Sequence, residues 1–210
     1  MTECAIGVVA HEARRRMALE LADAVGATVV SIDGGTRKCG GNHRHVWTQL
    51  AACGAQWLCA LEDDAVPVEG FLDQLAAALT CAPEPIVSLY LGRERPPQFQ
   101  DAIRIATEKA DADPDVCWIV APRLYQAVGV AMVAELVPSM VDYTRRKQFF
   151  PIDDGIAFWA KSHAYRVAHT WPSLIDHRDG PSVAHQFRPA GRVAWRTGTR
   201  DAWTDIRIAM

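Results

Sequence analysis

The sequence predicts an α/β domain with a mostly parallel central sheet flanked by helices. Short β-type apolar runs alternate with segments of helical period, and the chain opens strand, helix, strand, a βαβ unit whose crossover implies parallel pairing. Half of the 210 residues are apolar and 22% are charged, with 14 Gly and 12 Pro, a globular profile that excludes disorder, collagen and coiled coil.

Each element has its own warrant. Cys4 to Ala10 is a β-type run; from Glu12 the apolar positions Met17, Leu21 and Val25 recur every four residues, and Gly26 stops that helix. Ala27 to Ile32 reads as a second buried strand closed by the turn Asp33-Gly34-Gly35. A polar stretch, Thr36 to Asn42, precedes a helix over His43 to Cys53, with Val46, Trp47, Leu50 and Ala51 on one face. Trp57 to Leu61 is a third strand, and Leu72, Leu75, Ala76 and Leu79 mark a helix ended by Pro83. Ile86 to Leu91 and Val116 to Ala121 are further strands. Between them Gly92 to Asp115 turns polar and reads as a long surface loop. Leu124 to Leu136 reads as a helix, Asp153 to Ala160 as a helix with an acidic first turn, and Val167 to Trp171 with Ser173 to Ile175 as extended segments leading to His177. Residues 1–182 thus form the domain. The tail, 183–210, carries Phe187, Trp195 and Trp203 among five arginines, has no assigned structure, and is expected to cover the site or hold an acceptor.

A formal charge of −3 gives no global pull toward a nucleic-acid backbone or an anionic membrane. No window approaches eighteen apolar residues, and the first apolar run precedes its positive charges, the reverse of a signal peptide, so no membrane span and a cytoplasmic location are expected. Six cysteines without a CxxC pair argue against structural zinc and for reduced, mostly buried thiols.

The most informative segment is WLCALEDDAVPV, Trp57 to Val68, where a buried strand ends in Glu62, Asp63 and Asp64. Like charges side by side at a sheet edge are costly without a cation, and ligands of open α/β sheets bind beyond the carboxyl ends of strands. Carboxylates suit Mg2+ or Mn2+; the plainer alternative is an acidic helix cap before Phe71. In position and pattern this segment resembles the acidic DxD motif of the nucleotide-sugar glycosyltransferases of the GT-A (Rossmann-related) fold, here as ExD. FPIDDGIAFW, Phe150 to Trp159, is similar to their xED element, with Asp-Asp in place of Glu-Asp, and WPSLIDHRDGPS, Trp171 to Ser182, to the strand that ends in a late metal-binding histidine.

Transfer of a sugar from a nucleoside diphosphate requires the departing diphosphate to be neutralised, which a divalent metal does. Asp64, at the solvent end of the strand, is expected to ligate the metal, with Glu62 and Asp63 on the ribose or on metal-bound water, and His177 as a second ligand held by Asp176 or Asp179. An inverting reaction also needs a base. The resemblance implies Asp154 for this role, with Asp153 contacting the acceptor; the alternative is that both complement the helix dipole. The nucleoside is expected over the first two strands, near His11, Glu12 and Asp33, with one of Arg14, Arg37, Lys38 and Arg44 reaching phosphate. Trp159 and Trp171 are either acceptor-pocket or core residues. GxxxxGK[ST] and GxGxxG are absent, which removes P-loop and dinucleotide readings.

The resemblance therefore implies a metal-dependent glycosyltransferase using a nucleotide-sugar donor, a UDP-sugar first, with Mn2+ or Mg2+, acting on a glycan, protein or nucleic-acid acceptor. Two rivals stand beside it. One is a nucleotidyltransferase or phosphotransferase built on the same acids; the other is a nonenzymatic nucleotide-binding module.

Overall fold

The computed structural model describes residues 3–148, 151–178 and 192–210. Strand β1 (Cys4–His11) leads through a short 3-10 turn to helix α1 (Arg15–Ala24), strand β2 (Val29–Asp33), helix α2 (Lys38–Leu50) and strand β3 (Trp57–Glu62). Strand β4 (Ala65–Pro67), helix α3 (Phe71–Thr80), strand β5 (Ile86–Ser88) and helix α4 (Gln100–Asp111) follow. Then come strands β6 (Trp118–Ala121) and β7 (Gly129–Val133), helices α5 (Val137–Lys147) and α6 (Ile152–Ser162), and strands β8 (Val167–Thr170), β9 (Ile175–His177) and β10 (Arg207–Ala209). Eight strands form one sheet in the order β10-β6-β8-β5-β7-β3-β1-β2, while β4 and β9 pair antiparallel beside it. Of the seven pairings in the large sheet, β1 with β2, β1 with β3, β5 with β8 and β6 with β10 are parallel. The chain is thus the α/β domain the sequence predicts, with helices on both faces of the sheet.

Strand alternation sets the layers. On β1, Ile6, Val8 and Ala10 face α1 and α3, where Leu21, Phe71 and Leu75 are buried; Ala5 and Val9 face Val46, Trp47 and Leu50 of α2. Strand β3 repeats this, with Trp57, Cys59 and Leu61 on the first face and Leu58 and Ala60 on the second. Gly7 shares the second face, and its missing Cβ would lie 2.5 Å from Val46 Cγ1, so α2 seats against β1 at a distance only glycine allows. Truncating a fully buried leucine such as Leu58 is expected to cost about 2–5 kcal/mol.

Four expectations need correction. The polar stretch Gly92 to Asp115 is not a loop: it contains α4, whose Ile103, Ala106 and Ala110 are buried under Leu91 and Ile119. Its apolar residues are few, but they fall on one helical face. The expected helix over Leu124 to Leu136 is an irregular segment followed by β7, because Val130, Met132 and Val133 complete the sheet between β3 and β5, where β-branched packing outweighs helical spacing. The polar stretch Thr36 to Asn42 is largely helical, since α2 begins at Lys38 rather than His43.

The tail is also structured where described. Strand β10 pairs with β6, Trp203 Nε1 donates to Gln74 Oε1 at 2.8 Å, and the Arg200 guanidinium donates to the carbonyls of Val116 and Trp171. Arg196 pairs with Asp111 at 2.6 Å, so these arginines are engaged within the chain. Phe187 and Asp179 lie outside the described residues. Trp159 and Trp171 are buried core residues. All six cysteines are free; Cys59 and Cys117 are buried and Cys53 is exposed. Among the described residues no helix is long and apolar enough to cross a membrane.

Candidate active site

Strands β1, β2 and β3 run parallel and end together at His11, Asp33 and Glu62, and beyond these ends lies a cavity of about 540 Å3, within the size range of small-ligand pockets. Asp63, Asp64, Tyr90, Asp153, His177 and Arg192 also line it, as do Arg14, Arg93 and Arg95.

The acid run divides where β3 ends. Glu62 continues the face of Leu58 and Ala60 and turns to α2, where its Oε1 lies 3.0 Å from Nε2 of the buried His43. Asp63 turns to the other face. It accepts hydrogen bonds from the His11 backbone N–H at 2.8 Å and from Arg14 Nη1 at 2.9 Å. The same Arg14 nitrogen donates to Asp64 Oδ2 at 2.5 Å. Arg14 is therefore the cation between the two aspartates. Both are only 5% exposed, so Asp64 is not at the solvent end as expected. Burial opposes its charge, but His177 and Arg14 outweigh that and hold its carboxyl below the usual carboxylate range. Asp63 is pushed up, chiefly by burial.

The pairing of β4 with β9 delivers the late histidine. Ala65 stands opposite His177, the Arg178 N–H donates to the Asp64 carbonyl at 2.8 Å, and His177 Nε2 comes 3.2 Å from Asp64 Oδ2. Asp176 does not hold the imidazole: its Oδ1 accepts from the backbone N–H groups of His177 and Ala194. Among the described residues, Asp64 Oδ1 and His177 Nδ1 are buried without a hydrogen-bond partner.

Across the cavity, the first turn of α6 separates its two acids. Asp153 lines the cavity, and burial pushes its carboxyl up to about 6. Asp154 turns to the rim, where Arg123 Nη2 donates to it at 2.7 Å. Asp33 is buried and accepts from the N–H groups of Gly35 and Arg37, closing the turn after β2 at the cavity wall. His11 lines the cavity while its Nδ1 accepts from the Ala13 N–H. Glu12 and Arg37 are not cavity residues: Glu12 pairs with Arg15 at 2.7 Å in solvent, and half-exposed Arg37 lies 3.6 Å from Asp33. Of the four candidate phosphate residues, Arg14 and Lys38 line the cavity.

Sequence reasoning did not weigh Asn42, His43 or Arg123, and took Cys39 only as one of six thiols without a zinc pattern. Asn42 is buried and ties β1 and β2 to α2, donating to the carbonyls of Ala10 and Ser31 at 3.0 Å each. Cys39 and His43 stand four residues apart on α2, a helical spacing readable in the sequence, and both line the cavity.

No protein-family model and no curated protein matches the chain. Among solved structures, A197 from STIV superposes with a TM-score of 0.50 at 10% identity, over 92% of this chain and 95% of that one, a likeness of fold. A glycosyltransferase involved in the glycosylation of the major capsid of PBCV-1 is more distantly similar, with a TM-score of 0.37 and 8% identity over 71% of this chain and 72% of that one.

Proposed function

We propose that the chain is a glycosyltransferase that transfers a sugar from a nucleoside-diphosphate donor to an acceptor hydroxyl with a divalent metal. One observation carries the reading: Asp64, Asp153 and His177, drawn from three segments far apart in the sequence, line a single cavity at the carboxyl ends of parallel strands. The residues fit Mn2+ or Mg2+, because Asp64 Oδ1 and His177 Nδ1 are buried donors left without partners among the described residues, in an oxygen-rich setting. Asp64 and His177 would hold the ion, which when bound supplies positive charge to the departing diphosphate.

The remaining work falls to the chain's own side chains. Arg14 holds Asp63 and Asp64 in place and offsets their mutual repulsion. Asp33, at the end of β2, accepts from the nucleoside. Asp153 takes the acceptor proton as the acceptor oxygen bonds to the anomeric carbon and the bond to the diphosphate breaks. Asp153 suits this role better than Asp154, because it faces the cavity and its carboxyl is held near about 6, whereas Asp154 is committed to Arg123.

The test is calorimetric titration with UDP, GDP, CDP and ADP and their sugar conjugates, with Mn2+ and with EDTA. Metal-dependent binding of one series is the expected result, with a nucleoside diphosphate released on turnover. Pyrophosphate release would instead identify a nucleotidyltransferase, and no binding under either condition would overturn the reading.

A further inference from the structure

Beside the carboxylate and histidine site, the same cavity holds a thiol, an imidazole and a carboxylate that the proposed transfer does not use. We propose that Cys39, His43 and Glu62 form a separate site for a borderline-soft dication of the Zn2+ type, with one coordination position open to the cavity.

The three residues each place one ligand atom within 4.8 Å of the other two. Around tetrahedral Zn2+, with bonds of about 2.0–2.3 Å, neighbouring ligand atoms stand roughly 3.3–3.6 Å apart, so side-chain rotation of about an ångström closes the set. The backbone already supplies the geometry. Cys39 and His43 are one helical turn apart on α2, and Glu62 is the residue at which β3 presents its α2-facing side to the cavity. The contact between His43 and Glu62, 3.0 Å, is close to the ligand separation around such an ion. The imidazole is 1% exposed and stands between Cys39 and Glu62.

Charge and softness select the ion. A thiolate and a carboxylate together neutralise a dication, which makes the occupied site cheap to keep out of bulk water. The thiolate favours Zn2+ or Co2+ over Mg2+, Mn2+ and Ca2+. On binding, Cys39 gives up its thiol proton to solvent and His43 coordinates as neutral imidazole. All three residues line the cavity, so the fourth position faces whatever occupies it, the arrangement of three protein ligands and an open position. This site does not depend on the glycosyltransferase reading. Asp63 and Asp64 turn away from it to Arg14.

Co2+ titration of the chelator-stripped full chain tests the proposal. One equivalent is expected to produce a thiolate-to-cobalt charge-transfer band in the near ultraviolet, abolished by stoichiometric Zn2+. Cys39→Ser should lose the band while keeping the wild-type circular dichroism spectrum, and Asp64→Asn should keep it. Zn2+ should also slow alkylation of Cys39 by at least about tenfold while exposed Cys53 reacts unchanged. The proposal is overturned by absence of the band, by its survival in Cys39→Ser, by its loss in Asp64→Asn, or by equal protection of Cys53.

Discussion

Glu62 and Asp64 leave the end of the same strand and are neutralised by unlike partners. Asp64 shares a guanidinium with Asp63 and touches His177; Glu62 meets the buried imidazole of His43. Arg14 keeps its charge at any pH the fold survives, whereas His43 carries charge only when protonated. The Asp63, Asp64 and Arg14 group is therefore a fixed electrostatic frame, and the Glu62 and His43 pair is one whose strength varies with proton supply. Acids with similar sequence signals acquire different chemistry because Glu62 still belongs to β3 and faces α2, whereas Asp63 and Asp64 lie in the turn beyond the strand and meet Arg14.

The largest expected effect comes from breaking the fixed frame at its centre. Asp64→Ala should reduce transfer by more than about 100-fold and, by leaving buried charges unbalanced, lower the melting temperature. Turnover within a few-fold of wild type would remove Asp64 from the site. Asp153→Asn is expected to leave metal-dependent nucleotide binding in place while slowing turnover by roughly 10^2- to 10^4-fold. In the wild type the rate should rise with pH through about 6, as Asp153 loses its proton. Because the folded chain binds that proton more tightly than the unfolded chain, stability should fall as pH rises from about 4 toward about 6, and Asp153→Asn should abolish that slope in pH-resolved melting.

The variable pair has the same sign, in a higher pH window. Burial disfavours the His43 imidazolium, but Cys39 and Glu62 outweigh it and hold its pKa up at about 10. In the metal-free chain its contribution is full below the unfolded value of about 6.5 and is lost as pH rises toward about 10. Glu62→Gln should flatten that loss in melting curves taken across this window, and an unchanged curve would show that the pair does not couple to folding. The smallest effect is expected at the rim, where Arg123 and Asp154 are partly exposed. Arg123→Ala should change stability by less than about 1 kcal/mol by denaturant titration.

The opening half of the fold was legible because β1 and β3 are buried on both faces and their apolar runs admit few alternatives, while β2, an edge strand with Val30 exposed, keeps a β-type run. The segment from Gly92 to Val133 was not. There α4 buries only a narrow stripe and is otherwise polar, while β7 is a short strand whose pairing with β3 and β5 is decided by distant partners. Of the candidate site, the end of β3 and the proximity of His177 to Asp64 were readable as motifs. That Arg14 would occupy the space between Asp63 and Asp64 was not, since it depends on how α1 packs over β1. The parity that sends Glu62 to His43 was present in the alternation of Leu58, Ala60 and Glu62, and the spacing of Cys39 and His43 in the numbering of α2.

Gly7 lies below this cavity, where Val46 of α2 rests on β1 one turn beyond His43. A single hydrogen in place of a methyl group there acts as the shim between two layers, and the gap it sets is inherited by every side chain that α2 lowers toward the end of β3. The height at which α2 carries His43 over Glu62 thus depends on a position where any added side chain would first meet Val46 and Leu50.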